Sequence, residues 1–305
     1  MAGEFLPFPK LPCHGSADAP LWVALEKIHG AHLVVDVDAK SVRFGKRKGW
    51  LQEDEPFFGW QLLRGALRDT AREAFDLVDA KRLILYGEMF GGGYPHPEVA
   101  DKRLSPVQTG VWYAPDLRWA LFEVRADDDY LSWSECASLA AAVGFTTPPV
   151  VARGKKAEIE ALPERFPSKL AVSLGFPPLG DGNLAEGLVV KPDARMAVAI
   201  YTSSKRKIAE MREARFDESQ PWNPDRPMDL TALADWAERL TNGPRLAAAA
   251  SKVGRHDAAA LADEVVLDVL VDLEEAFPGA MSALEHEGWA ALESAIRTRV
   301  GASAL

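Results

Sequence analysis

The chain has 305 residues, 48% of them hydrophobic, and a formal net charge of −10, which allows one large core or two modest ones, with two domains the better expectation. No stretch approaches the roughly 20 uninterrupted apolar residues of a membrane span, and the opening MAGEFLPFPK lacks the basic-then-apolar order of a signal peptide, so a cytoplasmic protein is expected. Cys13 and Cys136 lie far apart without a CxxC pair, which argues against a zinc site and against a disulfide framework.

The stretch WVALEKIHGAHLVV, residues 22–35, reads as two strands joined by Lys27-Ile28-His29-Gly30. The glycine would let a ligand approach the backbone beside the lysine amine, although an isolated KxxG is most often a surface lysine before a turn. Next comes the basic run RFGKRK at 43–48. A helix follows in GWQLLRGALRDTAREAFDLV, where Leu62, Leu63, Leu67, Ala71 and Phe75 recur at three to four residues and form a stripe for packing on a sheet. Then RLILYGEMF, WALFEVRA, GLVVKP and MAVAIYT read as short strands, and Glu88 stands just before a Gly91-Gly92-Gly93 turn. A second basic run, SSKRK at 203–207, places Lys205 and Lys207 on one face of a probable strand.

The proline-rich run SQPWNPDRPMD at 219–229 marks a domain joint near residue 222. Beyond it the pattern turns helical: Leu261, Val265, Val269 and Leu273 are four apart, Val266 and Leu270 widen the stripe, and Pro278 follows the helix end. The expectation is an α+β domain over residues 1–222 and an all-α domain over 223–305. Residues 223–305 hold 7 Lys and Arg against 14 Asp and Glu, a net of −7, which leaves −3 for the rest. Overall acidity therefore does not exclude RNA, because the two basic runs can attract phosphate locally.

Six motifs stand in a fixed order: Lys27-Ile28-His29-Gly30, Arg47 in FGKRKGWL, Glu88 in LYGEMFGGG, Phe122-Glu123 in ALFEVRA, Glu186 in EGLVVKP, and Lys205 and Lys207 in KRKIAEMRE. This series resembles the covalent nucleotidyltransferases, the ATP-dependent ligases and capping enzymes. In detail it resembles the RNA ligase 2 family, which includes the trypanosome editing ligases, over roughly residues 20–215. The resemblance implies a nucleotidyltransferase domain of antiparallel sheets with flanking helices, followed by a small helical domain. It also implies an ATP-dependent RNA ligase that joins RNA 3′-hydroxyl and 5′-phosphate ends, nicked or single-stranded, with Mg²⁺ or Mn²⁺; the sequence leaves the oligomeric state open, with a monomer expected.

Carried over residue by residue, Lys27 becomes the nucleophile that takes AMP, Glu26 and Ile28 beside it line the nucleotide pocket, and His29 contacts phosphate or metal water. Arg47 contacts the ribose side and the RNA 5′ phosphate, Glu88 the ribose hydroxyls, and Phe122 stacks on adenine with Glu123 next to it; on pattern alone Phe122 is a core aromatic. Glu186 stands near the metal or its water shell. A lysine amine attacks only when neutral, and an ordinary value of about 10.4 leaves little neutral form at pH 7. Like charge from Lys205 and Lys207, or a bound magnesium, would favour the neutral amine, and the same two lysines could stabilise charge on the α-phosphate. Glu88 and Glu186 are sole carboxylates in apolar segments and need partners.

Two departures stand out: Glu123 where the family usually has aspartate, and Met211 where it usually has phenylalanine. His14, His32, His96 and the Asp127–Asp129 run match nothing and are assigned to surface or structure. Two rivals are kept. A DNA ligase-like enzyme would carry five short strands of an OB barrel after residue 222, where helices are read instead. A non-catalytic nucleotide- or RNA-end-binding module would keep the fold without turnover.

Overall fold

The structure, a computed structural model, describes residues 4–9, 19–102, 104–208, 228–242, 245–246, 249–250, 253 and 257–303. Cys13, His14, Met211 and most of the proline-rich run lie outside the described residues.

In chain order the strands and helices are β1 (Trp22–Glu26), β2 (Ala31–Asp38), β3 (Val42–Lys46), β4 (Gly49–Trp50), α1 (Gln61–Asp76), β5 (Arg82–Gly93), β6 (Ala114–Ala126), β7 (Asp129–Tyr130), α2 (Trp133–Val143), β8 (Val150–Gly154), α3 (Lys156–Glu160), α4 (Leu170–Ser173), β9 (Gly187–Pro192), β10 (Met196–Ala197), β11 (Ser204–Lys207), α5 (Leu230–Leu240), α6 (Ala258–Ala276), α7 (Pro278–Ser282) and α8 (His286–Ser303). They divide into two compact units, one of residues 1–51 with 71–220, the other of residues 52–70 with 221–305.

The first unit holds two antiparallel sheets, ordered β11-β9-β1-β8 and β10-β7-β6-β5-β2-β3-β4. β1 is buried on both faces because it is central. Its Trp22 and Ala24 meet Leu188, Val190 and Ile159 on one side, and period-two alternation sends Val23 and Leu25 to the other. The second unit packs Leu233, Trp236, Leu240, Val265, Val269, Leu273, Leu292 and Ile296 into a helical core. Asp229 caps α5 through the Ala232 amide, and Asp257 caps α6 through that of Ala260, each at 2.9 Å.

The structure differs from the sequence reading at three places. Residues 52–70, including the first half of α1, belong with the helices after residue 220. Arg64 on that half-helix explains the attachment: it donates to Asp272 and is ion-paired with Glu275, both on α6 and each at 2.7 Å. The MAVAIYT run pairs with β7 only at Met196 and Ala197, then tightens into a 3₁₀ turn at Val198–Ile200 that sets Tyr201 on Tyr130, ring centroids 4.0 Å apart. Gly91–Gly93 is no turn; these glycines end β5, with φ of +92° and +90° at the first two and a register shift against β6. Pro278 follows the end of α6 at Ala276, as read from the sequence, and also opens α7, where its missing N–H costs nothing.

Candidate active site

β1 ends at Glu26, and the chain is sewn down at once: Lys27 N donates to the Gly187 carbonyl at 2.9 Å. Glu186, which precedes that glycine, therefore lies beside the Lys27 side chain. Its Oε2 accepts from Lys27 Nζ at 2.5 Å and lies 3.5 Å from His29 Nδ1, while Oε1 takes Lys207 Nζ at 2.7 Å. The carboxylate is only 1% exposed. Burial pushes its pKa up, but Lys27, His29 and Lys207 outweigh that and hold it far below the usual range.

Gly187 is glycine of necessity. Its φ is +145°, and a Cβ there would strike the Arg206 carbonyl across the β9–β11 ladder. That close ladder aligns Lys205 opposite Val189 and Lys207 opposite Gly187, so the two lysines share a face as their spacing demands. Lys207 binds Glu186 and Lys205 does not. Burial and repulsion from Lys27, Lys207 and Arg47 lower the Lys205 pKa. The Lys27 side chain, for its part, lies in an ion pair with Glu186.

Gly30 also acts otherwise than expected. A Cβ there would strike the Met89 carbonyl and the Glu88 side chain, so the glycine lets the turn after Lys27 pass against β5 rather than opening the backbone to a ligand. The turn is pinned from its other side, where the His29 amide donates to the buried Tyr113 hydroxyl at 2.9 Å. Glu88 is thereby drawn beside the lysines. Burial raises its pKa to about 7; Glu186 acts in the same direction, against Lys27, Arg47 and Lys207. Arg47 stands exposed on the turn between β3 and β4, and its charge is felt by Glu88, His32 and Lys205.

Phe122 is the bulged residue of β6, since the register steps from Tyr86 opposite Glu123 to Gly87 opposite Leu121. Its ring lies 5.4 Å from His32 and 5.2 Å from Phe8, in a partly open aromatic cluster. His32, opposite Glu88 on β2, is packed in this cluster, a structural place rather than a surface one, and burial together with Arg47 lowers its pKa to about 4, so it is neutral at pH 7. Phe5, Leu6 and Phe8 cover the same sheet face. Sequence reasoning passed over them, although two aromatics in EFLPFPK offered a signal.

Three predicted ligands turn away from the cluster. Both Glu26 oxygens are taken, by Ser168 Oγ at 2.6 Å and the Lys169 amide at 2.8 Å. Ile28 packs with Phe90, Tyr113 and Leu170. Any part these two take in binding a nucleotide falls to their main chain. Glu123 is sealed, with Lys191 Nζ at 2.7 and 2.6 Å from its two oxygens and the Tyr201 hydroxyl at 2.5 Å. Lys191, 2% exposed, was not singled out from the sequence, although a lysine ending the apolar GLVVKP run needs a buried anion. His96 donates no side chain to the cluster; its Nδ1 accepts from the Glu98 amide.

Among the described residues, no group of three or more His, Cys, Asp or Glu is placed to hold a metal ion. Both Glu186 oxygens are engaged by Lys27, His29 and Lys207, so the carboxylate suits a Mg²⁺ or Mn²⁺ ion that keeps its waters and is shared with phosphates, rather than direct ligation.

Lys27, Lys207, Lys205 and Arg47 thus act on Glu88, Glu186 or one another, with Lys27 and Lys207 tied to the buried Glu186 carboxylate, a concentration of positive charge suited to holding phosphate anions. The chain belongs to the RNA ligase family, whose sequence profile matches residues 20–209. It is 32% identical to mitochondrial RNA-editing ligase 2 of Trypanosoma brucei brucei (strain 927/4 GUTat10.1) over 228 residues, 65% of this chain and 54% of that protein. To mitochondrial RNA-editing ligase 1 of Trypanosoma brucei brucei it is 30% identical over 236 residues, 65% of this chain and 50% of that protein. The chain thus spans about half the length of these curated relatives. Among solved structures it is similar to Naegleria gruberi RNA ligase with PPi, at 18% identity and a TM-score of 0.42, covering 66% of this chain and 53% of that one.

Proposed function

We propose that this protein is an ATP-dependent RNA ligase in which Lys27 carries AMP. The observation that carries the reading is the Glu186 carboxylate shared by Lys27, His29 and Lys207, which fixes one amine at a site rich in positive charge. The Lys27 nitrogen, having lost its proton, forms a bond to the α-phosphorus of ATP, and the bond to the bridging oxygen breaks to release pyrophosphate. An RNA 5′-phosphate oxygen then attacks the same phosphorus, the P–N bond breaks and the lysine is restored. Finally the RNA 3′-hydroxyl attacks the 5′ phosphorus, sealing the phosphodiester and releasing AMP.

In this reading Glu186 and His29 aim the Lys27 amine, Lys205 and Lys207 meet the charge that develops on the α-phosphate, Glu88 binds ribose hydroxyls, Phe122 stacks on the base, and Arg47 reaches the RNA 5′ phosphate. A Mg²⁺ or Mn²⁺ ion, held by Glu186 through water and by the phosphates, would supply charge neutralisation there. No helix among the described residues is long and apolar enough to cross a membrane. Two cysteines in 305 residues, one a buried free thiol, suit work in the reducing cytoplasm.

The test is incubation with α-labelled ATP and Mg²⁺ followed by denaturation. Label should remain on the wild-type chain, be released by pyrophosphate, and be absent from Lys27→Ala and Lys27→Arg. Label on Lys27→Ala that pyrophosphate removes would refute the assignment.

A further inference from the structure

The two basic runs in the sequence differ in how far they reach into solvent. In the run at 203–207, Arg206 donates to Glu164 at 3.1 Å and to the carbonyls of Glu160 and Leu162 at 3.1 and 2.8 Å, while Lys207 is paired with Glu186. In the run at 43–48, Arg43 lies over the Trp50 ring, 4.1 Å from its centroid, and faces Asp36 at 3.5 Å. That stacking stiffens the hairpin and leaves its tip to solvent. Lys46 pairs across the ladder with Gly49, and Arg47 and Lys48 form an exposed two-residue turn. β4 ends its sheet, so these three successive cations stand at a sheet margin. Their middle member is close enough to the catalytic cluster for its charge to act on Glu88, His32 and Lys205. The patch therefore begins at the site and continues outward into water, on a chain whose net charge is −10.

We propose that the β3–β4 turn is the docking surface for the backbone of the RNA strand whose 5′ phosphate reacts, with Lys46 and Lys48 contacting phosphates on either side of the one met by Arg47. This rests on the ligase reading and names where that reading's RNA lies. Contacts of this kind fix the register of a strand without reading its bases, so the surface serves any sequence and binds less tightly as salt rises.

Full-length wild type, Lys48→Ala, Lys48→Glu and Lys46→Ala are compared in two reactions: labelling of Lys27 by ATP without RNA, and sealing of 5′-phosphate RNA between 50 and 200 mM salt. Labelling should stay within about twofold in all four. Apparent RNA affinity should fall about three- to tenfold in Lys48→Ala and further in Lys48→Glu, and each lost cation should flatten the log–log salt slope by about 0.7–1. Unchanged affinity and slope with intact labelling would overturn the proposal. So would a loss of labelling equal to the loss of sealing, which would place the lysines on ATP. A wild type that takes no label refutes the ligase reading itself, before RNA is added.

Discussion

Glu88 binds a proton in the folded chain that the unfolded chain has already released, because burial has moved its pKa from the ordinary 4.5 to about 7. Between those values the native state holds more protons, so this group's contribution to stability declines as pH rises and levels off above about 7. Glu88→Gln removes that dependence. Urea midpoints should show the variant gaining on wild type from pH 5 to pH 8 even as its ATP affinity falls; a constant gap would refute the shifted carboxyl. The opposite sign holds at Glu186, whose depressed pKa gives stability that is complete above about 4.5 and lost only in strong acid. At this scale the need of Glu88 and Glu186 for charged partners was legible in the sequence, because lone charges in apolar runs demand them, and the structure gives Glu186 both Lys27 and Lys207. Phe8, Tyr113 and Lys191 were not, since each gains its meaning from a partner 68 or more residues away, or from a sheet face that no local pattern reveals.

The Glu123–Lys191 pair joins β6 of the larger sheet to β9 of the smaller, with both partners at or below 2% exposure. Removing one partner strands a buried charge: Lys191→Met should cost about 3–5 kcal/mol in denaturant unfolding, and the double variant Glu123→Leu, Lys191→Met should recover much of it. Equal loss in both would mean that the pair matters through shape rather than charge. Gly187→Ala should cost about 1–3 kcal/mol for its backbone conformation, with the Arg206 clash added. It should also reduce Lys27 labelling, because Lys205 and Lys207 ride on the same ladder; labelling at the wild-type rate would refute that link. Strand alternation and helix stripes were readable where both neighbours in a sheet are long. The MAVAIYT run misled because its partner β7 offers only two residues, so apolar character exceeded the available pairing.

At the scale of the whole molecule, the sequence showed a joint near residue 222 but not that residues 52–70 cross to the far side of it, since an amphipathic stripe says that a helix is buried without saying against what. Asp272 receives both Arg64, at 2.7 Å, and Arg245, at 2.5 Å. A fragment ending at residue 220 therefore strips Arg64 of Asp272 and Glu275 and takes from residues 52–70 the rest of their compact unit. Limited proteolysis should cut the fragment within 52–70 and spare that segment in the full chain; equal protection would show that the first unit is self-sufficient. The discontinuity also has a history in time. During synthesis, residues 52–70 emerge about 150 residues ahead of the partners that bury them, which at 5–20 residues per second is an interval of about 8–30 seconds. For that interval an amphipathic half-helix is on offer to whatever waits at the ribosome exit, so this chain's demand for a chaperone should be concentrated there rather than in its sheets.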